Sequence, residues 1–375
     1  MTSWIEAAAG EAGADADAAL RQRAKELLVG VVEPAVFGPG SPLAVTAHHL
    51  PGEPVPPAEA VSGPFEPFAV GDAWGPRWGT TWFRLRGRVP TEWAGEQVVL
   101  RLDALRAGTT VPGGEFLIFS MADGRPVPLV GLSFQHAAAA LYASAAGGEE
   151  VDLHVEAAAN PTTPEDRMVG FDWPELRADP GGEPGFVLTR CELAVRRPVV
   201  RDLARDLRLA IGLAFHAGAG SGERRRAHDV LSSVCAVLDP DDVPGSAPVA
   251  LEALAALFTG RRAASLNGHG RPAGVTAVGH AHIDTAWLWP LRETIRKCAR
   301  TFATAVTLME DHPEYRFVCS AAQHLAWIEE HYPELFARIG ERVRTGQFIP
   351  VGGMWVEADC NMASGEALVR QLVLG

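Results

Sequence analysis

The sequence predicts an α/β molecule with an all-β accessory domain: an N-terminal β-sandwich, a helical connector, then the first units of a truncated β/α barrel. Three observations predict it. Between Trp74 and Pro198, short β-like runs are separated by turn residues, the texture of an antiparallel sandwich. Residues 199–262 carry apolar side chains at three- and four-residue spacing, the period of packed helices. After Gly274 the pattern becomes strand, helix, strand, helix, strand, helix, which signals a parallel sheet or barrel. The expected divisions are 1–66 for an N-terminal helix and a Pro/Gly-rich linker and 67–198 for the sandwich. The connector then takes 199–270 and the barrel units 271–375.

Each element has a local reason. Leu20, Ala24, Leu27 and Leu28 form one stripe and predict a helix over 14–32. PGEPVPPAEAVSGPFEP, residues 51–67, reads as loop because Pro and Gly break both periods. TTWFRLRGRV alternates over 80–89, and QVVLRLDAL, GEFLIFSM, EVDLHVEA and CELAVRR are further strands. Asp123-Gly124 between two such runs predicts a tight hairpin. LARDLRLAIGLAF, RRAHDVLSSVCAVL and LEALAALF are the connector helices, and NGHGRPAG at 267–274 marks its end. VTAVGHAHID then reads as a strand. Pro290 lies near the first turn of the next helix, with Glu293 close behind to suit the helix dipole. Ile295, Ala299, Phe302, Val306 and Met309 are that helix's apolar stripe, and Pro313 stops it. YRFVCSAAQH is a second strand, followed by helix from about Leu325 with a break at Pro333 and an end at Gly346. QFIPVGGMWVEAD is a third strand, and Ser364 caps a last helix, SGEALVRQLVL.

Composition narrows the function. A formal net charge of −13 argues against nucleic-acid or anionic-membrane partners, which favour a basic face. The cysteines Cys191, Cys235, Cys298, Cys319 and Cys360 are odd in number and scattered, as expected of reduced thiols in a cytoplasm. The first twenty residues lack the basic start and apolar core of a secretory signal. No unbroken apolar run reaches the ~18 residues of a membrane span.

The chemistry gathers where strands are expected to end, the place where β/α folds keep their functional residues. His280, His282 and Asp284 stand two apart in VGHAHIDTAWLWP, so an extended chain turns all three to one face. Imidazole and carboxylate together suit a divalent metal such as zinc. The structural alternative is that Asp284 or Thr285 caps the next helix and the histidines are simply packed. Glu357 and Asp359 are likewise two apart, in GGMWVEADCN, placed to act as ligand or nucleophile. Otherwise Glu357 is a rim ion pair and Asp359 part of a turn. Trp287 and Trp289 are either core or a platform for the apolar face of a sugar ring. Gln323-His324 ends the second strand and either lines the same pocket or completes the strand.

VGHAHIDTAWLWPLRETIRKCARTF, CSAAQH and VGGMWVEADCNMASGEALVRQ, in that order, resemble the α-mannosidases of glycoside hydrolase family 38, most of all the cytosolic, broad-specificity branch. The resemblance runs through 275–375 and, more weakly, through the sandwich at 74–198. It implies that His282, Asp284 and Asp359 bind Zn2+, or another divalent cation such as Co2+. It implies that Asp359 is also the nucleophile and that Trp287 stacks on bound mannose. His280 and Glu357 become supporting residues around the ligands. The implied reaction is retaining hydrolysis of α-mannosidic bonds in free oligosaccharides or glycans through a glycosyl-enzyme. A cytoplasmic protein with a mannose-containing substrate is implied, and a homo-oligomer is left open.

The same resemblance places a fourth metal ligand, a histidine, and the acid/base carboxyl beyond Gly375. About three β/α units follow Gly274, whereas a closed barrel takes about 200 residues or more. The chain therefore reads as the N-terminal part of a longer enzyme, with an incomplete core when alone. Two rivals remain at this stage. One is an amidohydrolase-type site with His280 and His282 both as ligands of a metal-bound hydroxide. The other is a non-catalytic carbohydrate-binding remnant whose sandwich is the working part.

Overall fold

The computed structural model describes residues 17–50, 52–133, 135–160, 182–218, 220–258, 276–285, 287 and 289–375. Helix α1, residues 17–27, runs through a π turn, Leu28–Val32, into α2, Glu33–Ala35. Ala24, Leu28 and Val32 are its buried stripe, near the expected one, and Leu20 and Leu27 pack against the same cluster. They meet α4 (Pro198–His216), α5 (Gly222–Val237) and α6 (Val243–Phe258), so the connector closes into a small helical bundle. α6 starts eight residues earlier than LEALAALF suggests. Pro244 and Gly245 fall in its first turn, where a proline removes no intrahelical bond. The expected boundary at NGHGRPAG lies outside the described residues.

The β region is a two-sheet structure. One sheet has β1 (Phe37–Pro42), β11 (Phe186–Arg196), β6 (Val98–Arg106) and β9 (Ala138–Tyr142) in that order, with β4 (Ala73–Trp74) also on β11. The other has β3 (Glu66–Phe68), β2 (Ala44–Leu50), β5 (Thr80–Arg88), β10 (Glu150–Ala158), β7 (Glu115–Ala122) and β8 (Arg125–Leu132). The sheets therefore take in residues 37–50, upstream of the expected start at 67. FGPGSP hid β1, because its prolines read as loop; among the described residues β1 pairs only with β11, and an edge strand tolerates proline. Within the expected linker, Pro57–Ala60 is a short helix, α3. The Asp123-Gly124 hairpin is present: Ala122 pairs with Arg125, and both loop residues have positive φ, 51° and 75°, as a two-residue hairpin requires.

Burial explains the apolar runs. Phe83, Leu85, Phe116, Ile118 and Val155 face the opposite sheet. Their neighbours Trp82, Leu117 and Phe119 face the other way and are equally buried, in a second core. That core is completed by α7 (Leu291–Asp311), β13 (Phe317–Ala321), α8 (Ala322–His331), α9 (Pro333–Arg344) and β14 (Phe348–Met354). Both faces of the six-stranded sheet are thus covered, so FLIF in β7 has no exposed alternate position.

The last part has three parallel strands in the order β12 (Gly279–His280), β13, β14, alternating with helices. Ala299, Phe302, Val306 and Met309 of α7 are buried as the stripe predicts. Pro333 starts α9, Gly346 follows its end with φ 74°, and Ser364 accepts from the Ala367 N–H at the start of α10 (Gly365–Leu374). Two expected strands are shorter than read. β12 has two residues and, among the described residues, a single neighbour, so VTAVGHAHID is mostly irregular. β14 ends at Met354, after Gly352 and Gly353 take positive φ and shift the register before Met354 pairs with Ala321. α10 buries none of its residues, and Leu372 and Val373 are exposed.

Candidate active site

The histidine motif and the carboxylate motif meet at the ends of β12 and β14, although neither is held by strand alternation. His282 is the centre. Its Nδ1 lies 2.6 Å from Glu357 Oε2, and its Nε2 lies 3.2 Å from Asp284 Oδ1. Ser320, near the end of β13, donates to the other Glu357 oxygen. His280 is fixed differently: Nδ1 is 3.1 Å from the Val318 carbonyl, and Nε2 faces Glu357 Oε1 at 3.6 Å. Two imidazoles and a serine thus share one carboxylate.

The electrostatics follow from these contacts. Hydrogen bonds to Glu357 and then to Asp284 raise the His282 pKa, because both neighbours favour the protonated ring. The Ser320 hydroxyl lowers the Glu357 pKa; partial burial opposes it, and His282 adds to the lowering. The His282 side chain is 62% exposed, so it is not a packed core histidine. Asp284 and Thr285 do not cap α7 either, since Pro290 is the residue at that position.

Asp359 is placed apart from this group. Its carboxylate accepts from the Asn361 N–H at 2.9 Å, and its carbonyl accepts from the Met362 and Ala363 N–H groups. These bonds fold 359–363 into the turn that the short-range pattern allowed as the alternative. Because β14 ends at Met354, the two-residue spacing of Glu357 and Asp359 does not put them on one face. Among the described residues, no three His, Cys, Asp or Glu side chains are grouped as a metal cage. The expected ligand set is therefore assembled in part: His282 and Asp284 are together, and Asp359 is not with them.

Trp287 is 53% exposed and stands edge-on to Trp289, with ring centroids 5.3 Å apart. Trp289 is anchored: its Nε1 donates to Thr294 Oγ1 at 2.9 Å, and the Lys297 ammonium sits 4.8 Å from its ring. His324 is buried, 3.1 Å from Thr285 Oγ1 and stacked on Trp327, and burial lowers its pKa. Gln323 serves the backbone, its N–H donating to the Trp355 carbonyl. A cavity of about 520 Å³ borders 281–283. His282 and Trp289 share its wall with Glu115, Ser133 and His136 of the sandwich and with Lys297 and Arg300.

Sequence reasoning missed Ser320, Thr294, Lys297 and Glu115. Ser320 was within reach, since it lies near the C-terminal end of a parallel strand. Glu115 was not, since nothing in the sequence shows which sandwich strand meets α7.

Comparison with known proteins adds an independent finding. Residues 272–375 match the glycosyl hydrolases family 38 N-terminal domain, and residues 41–194 match the α-mannosidase jelly roll domain. Alpha-mannosidase 2C1 of Homo sapiens is 40% identical over 346 residues, covering 91% of this chain and 31% of that protein. The chain carries an N-terminal domain of glycosyl hydrolase family 38. Alpha-mannosidase G of Dictyostelium discoideum is 30% identical over 319 residues, 84% of this chain and 27% of that protein. Alpha-mannosidase of Saccharomyces cerevisiae is 28% identical over 327 residues, covering 82% and 27%. The chain spans less than a third of the length of these curated relatives. The jelly roll match begins at 41, close to where β1 and β2 bring the chain into the sheets. Among the described residues no helix is long and apolar enough to cross a membrane.

Proposed function

We propose that this chain is the N-terminal part of a retaining, zinc-dependent α-mannosidase that acts on mannose-containing oligosaccharides or glycans, and that it works in the cytoplasm. The observation that carries the reading is the convergence of His282 Nε2 and Asp284 Oδ1 at 3.2 Å in a family 38 domain. Two ligands of one tetrahedral zinc stand roughly 3.3 Å apart, a separation that the pair matches. Glu357 supports the fit. A carboxylate on the remote nitrogen of a ligating histidine sets its tautomer and raises its donor strength. His280 faces Glu357 rather than Asp284, which favours a supporting role and counts against an amidohydrolase-type pair of histidine ligands.

A divalent metal held by His282 and Asp284 would supply Lewis-acid attraction for the hydroxyls of the bound sugar ring. Trp287 offers its exposed face to the apolar side of the sugar. Asp359 attacks the anomeric carbon as the glycosidic C–O bond breaks; a second carboxyl first protonates the departing oxygen and then takes a proton from the water that hydrolyses the glycosyl-enzyme, freeing Asp359. In retaining enzymes these two carboxyls stand roughly 5–5.5 Å apart. The acid/base carboxyl and one more histidine ligand come from the portion of the relatives that this chain does not span.

The test is turnover of a chromogenic α-mannoside, with metal content measured on the same sample before and after chelation. It is run on this chain and on a longer chain covering the relatives' full length. Turnover by the longer, metal-loaded chain and its loss on chelation are expected. Turnover of the mannoside unaffected by complete metal removal would refute the metal-dependent reading. Sugar binding without turnover in both chains would favour a binding protein instead.

A further inference from the structure

We propose that the sandwich holds the site loop in place through Glu115, Lys297 and Trp289, which act as positioning residues for Asp284 and Trp287. The proposal deepens the function above and rests on it for the meaning of that loop. It does not rest on it for the contacts, which form an unbroken series. Glu115 begins β7, and its Oε1 is 2.6 Å from Lys297 Nζ. Lys297 Nζ lies 4.8 Å from the centre of the Trp289 ring, a cation–π contact. Trp289 Nε1 donates to Thr294 Oγ1 at 2.9 Å, and Thr294 Oγ1 donates to the Asp284 carbonyl at 3.4 Å. The route leaves a sandwich strand and ends on the backbone of the metal-facing aspartate.

The start of this route is rigid. Glu115 Oε2 is also 2.6 Å from Arg300 Nη2. Arg300 in turn bonds Glu293, which is fully buried and accepts from Asn160 Nδ2 at 2.6 Å. Arg296 pairs with the same Glu293 at 2.7 Å and donates to Thr80 of β5. Glu293 thus has sandwich and helix partners on every side, and the first turns of α7 cannot shift without separating buried charges. Breaking such a pair is strongly destabilising, because it leaves a buried charge without its partner. The described residues of the irregular loop ahead of α7 are held by single contacts, such as Thr285 Oγ1 to His324 Nε2 at 3.1 Å. β12 ends at His280, and Trp287 is half-exposed. Coupling through a series of contacts is a claim about energies, so it needs a double-mutant test rather than geometry alone.

The test uses the purified chain with Lys297→Met, Glu115→Gln and Trp289→Phe, the last keeping a ring and losing the N–H donor. Val155→Ala, in the sandwich core away from α7, is the control for general loss of stability. Two quantities are read: amide hydrogen exchange of residues 282–290 in the metal-free chain, and affinity for Co2+ from its visible absorption. Lys297→Met and Glu115→Gln are expected to speed loop exchange and weaken Co2+ each by about tenfold, the scale of losing an outer-shell partner. Val155→Ala is expected to lower the melting temperature and leave both unchanged. The pair Glu115→Gln with Trp289→Phe is expected to be no worse than its worse single change. Unchanged loop exchange in Lys297→Met and Glu115→Gln, additive losses in the pair, or equal losses in Val155→Ala would each overturn the proposal. A wild-type chain that takes up no Co2+ refutes the metal reading alone, because the exchange result decides the coupling without it.

Discussion

The Glu115 carboxylate lies between Lys297 and Arg300, 2.6 Å from each, and burial alone would push its pKa up. The two cations win and hold it at about 2, against the usual 4.5. The folded value lies below the unfolded one, so the stabilisation is full above about pH 4.5 and fades as the pH falls toward 2. Glu115→Gln should therefore cost roughly 1–3 kcal/mol at neutral pH and flatten the fall of melting temperature between pH 4.5 and 2. A melting series at stepped pH values checks both parts. At the site, His282→Ala is expected to abolish most metal uptake, and His280→Ala to lower it modestly; elemental analysis of the two variants decides, and the reverse order would support the rival ligand pair. In the full-length enzyme, Asp359→Ala should abolish turnover and Glu357→Ala weaken it by about 10–100-fold. Equal losses would leave the nucleophile unassigned. The side chains of the candidate site were legible as residue types, because His, His, Asp and Glu at alternate positions rarely serve a core. Their grouping was not legible: Glu357 reaches His282 across the sheet, and the Asn361 N–H holds Asp359 in a turn.

Among the elements, α7 carries the most. Its apolar stripe was readable from spacing, and its polar face was not. Glu293 reads as a helix-dipole residue, yet it is the centre of a buried ionic group, since periodicity does not say what packs across a helix. The helix lies along β8. Gly131 N–H donates to Thr304 Oγ1 at 2.9 Å, and Thr307 Oγ1 donates to the Leu129 carbonyl at 2.6 Å. This approach depends on the absence of a side chain at 131. A Cβ there would stand 2.7 Å from Arg300 Cβ and 2.8 Å from its carbonyl oxygen, both helix-anchored atoms. Gly131→Ala should force β8 and α7 apart at a cost of about 1–3 kcal/mol, measured as a lower midpoint of urea unfolding. The short β12 and β14 show the same limit of sequence reading. An apolar run predicts extended chain, while ladder length depends on which neighbour is present and where glycines turn the strand.

At the scale of the whole molecule, the six-stranded sheet belongs to two cores at once. Trp82 and Phe119, with ring centroids 5.0 Å apart, serve the core under α7, and Phe83 and Phe116 serve the core between the sheets. Phe119→Ala should cost about 3–5 kcal/mol although it lies in the sandwich, and the loss should appear in one cooperative transition that includes α7. Two separate transitions, with the α7 region unaffected, would contradict this. The alternation of a sandwich was legible in the sequence, but the second covered face was not, because an apolar outward residue does not name its partner. A genetic consequence follows from that shared sheet. The jelly roll segment and the family 38 segment occupy separate stretches of the chain, so recombination could in principle exchange one and keep the other. Exchanging the family 38 segment would set a foreign helix against Trp82, Leu117 and Phe119, and exchanging the jelly roll segment would set foreign side chains against α7. Keeping this packing would require changes on one side of the seam to be answered on the other.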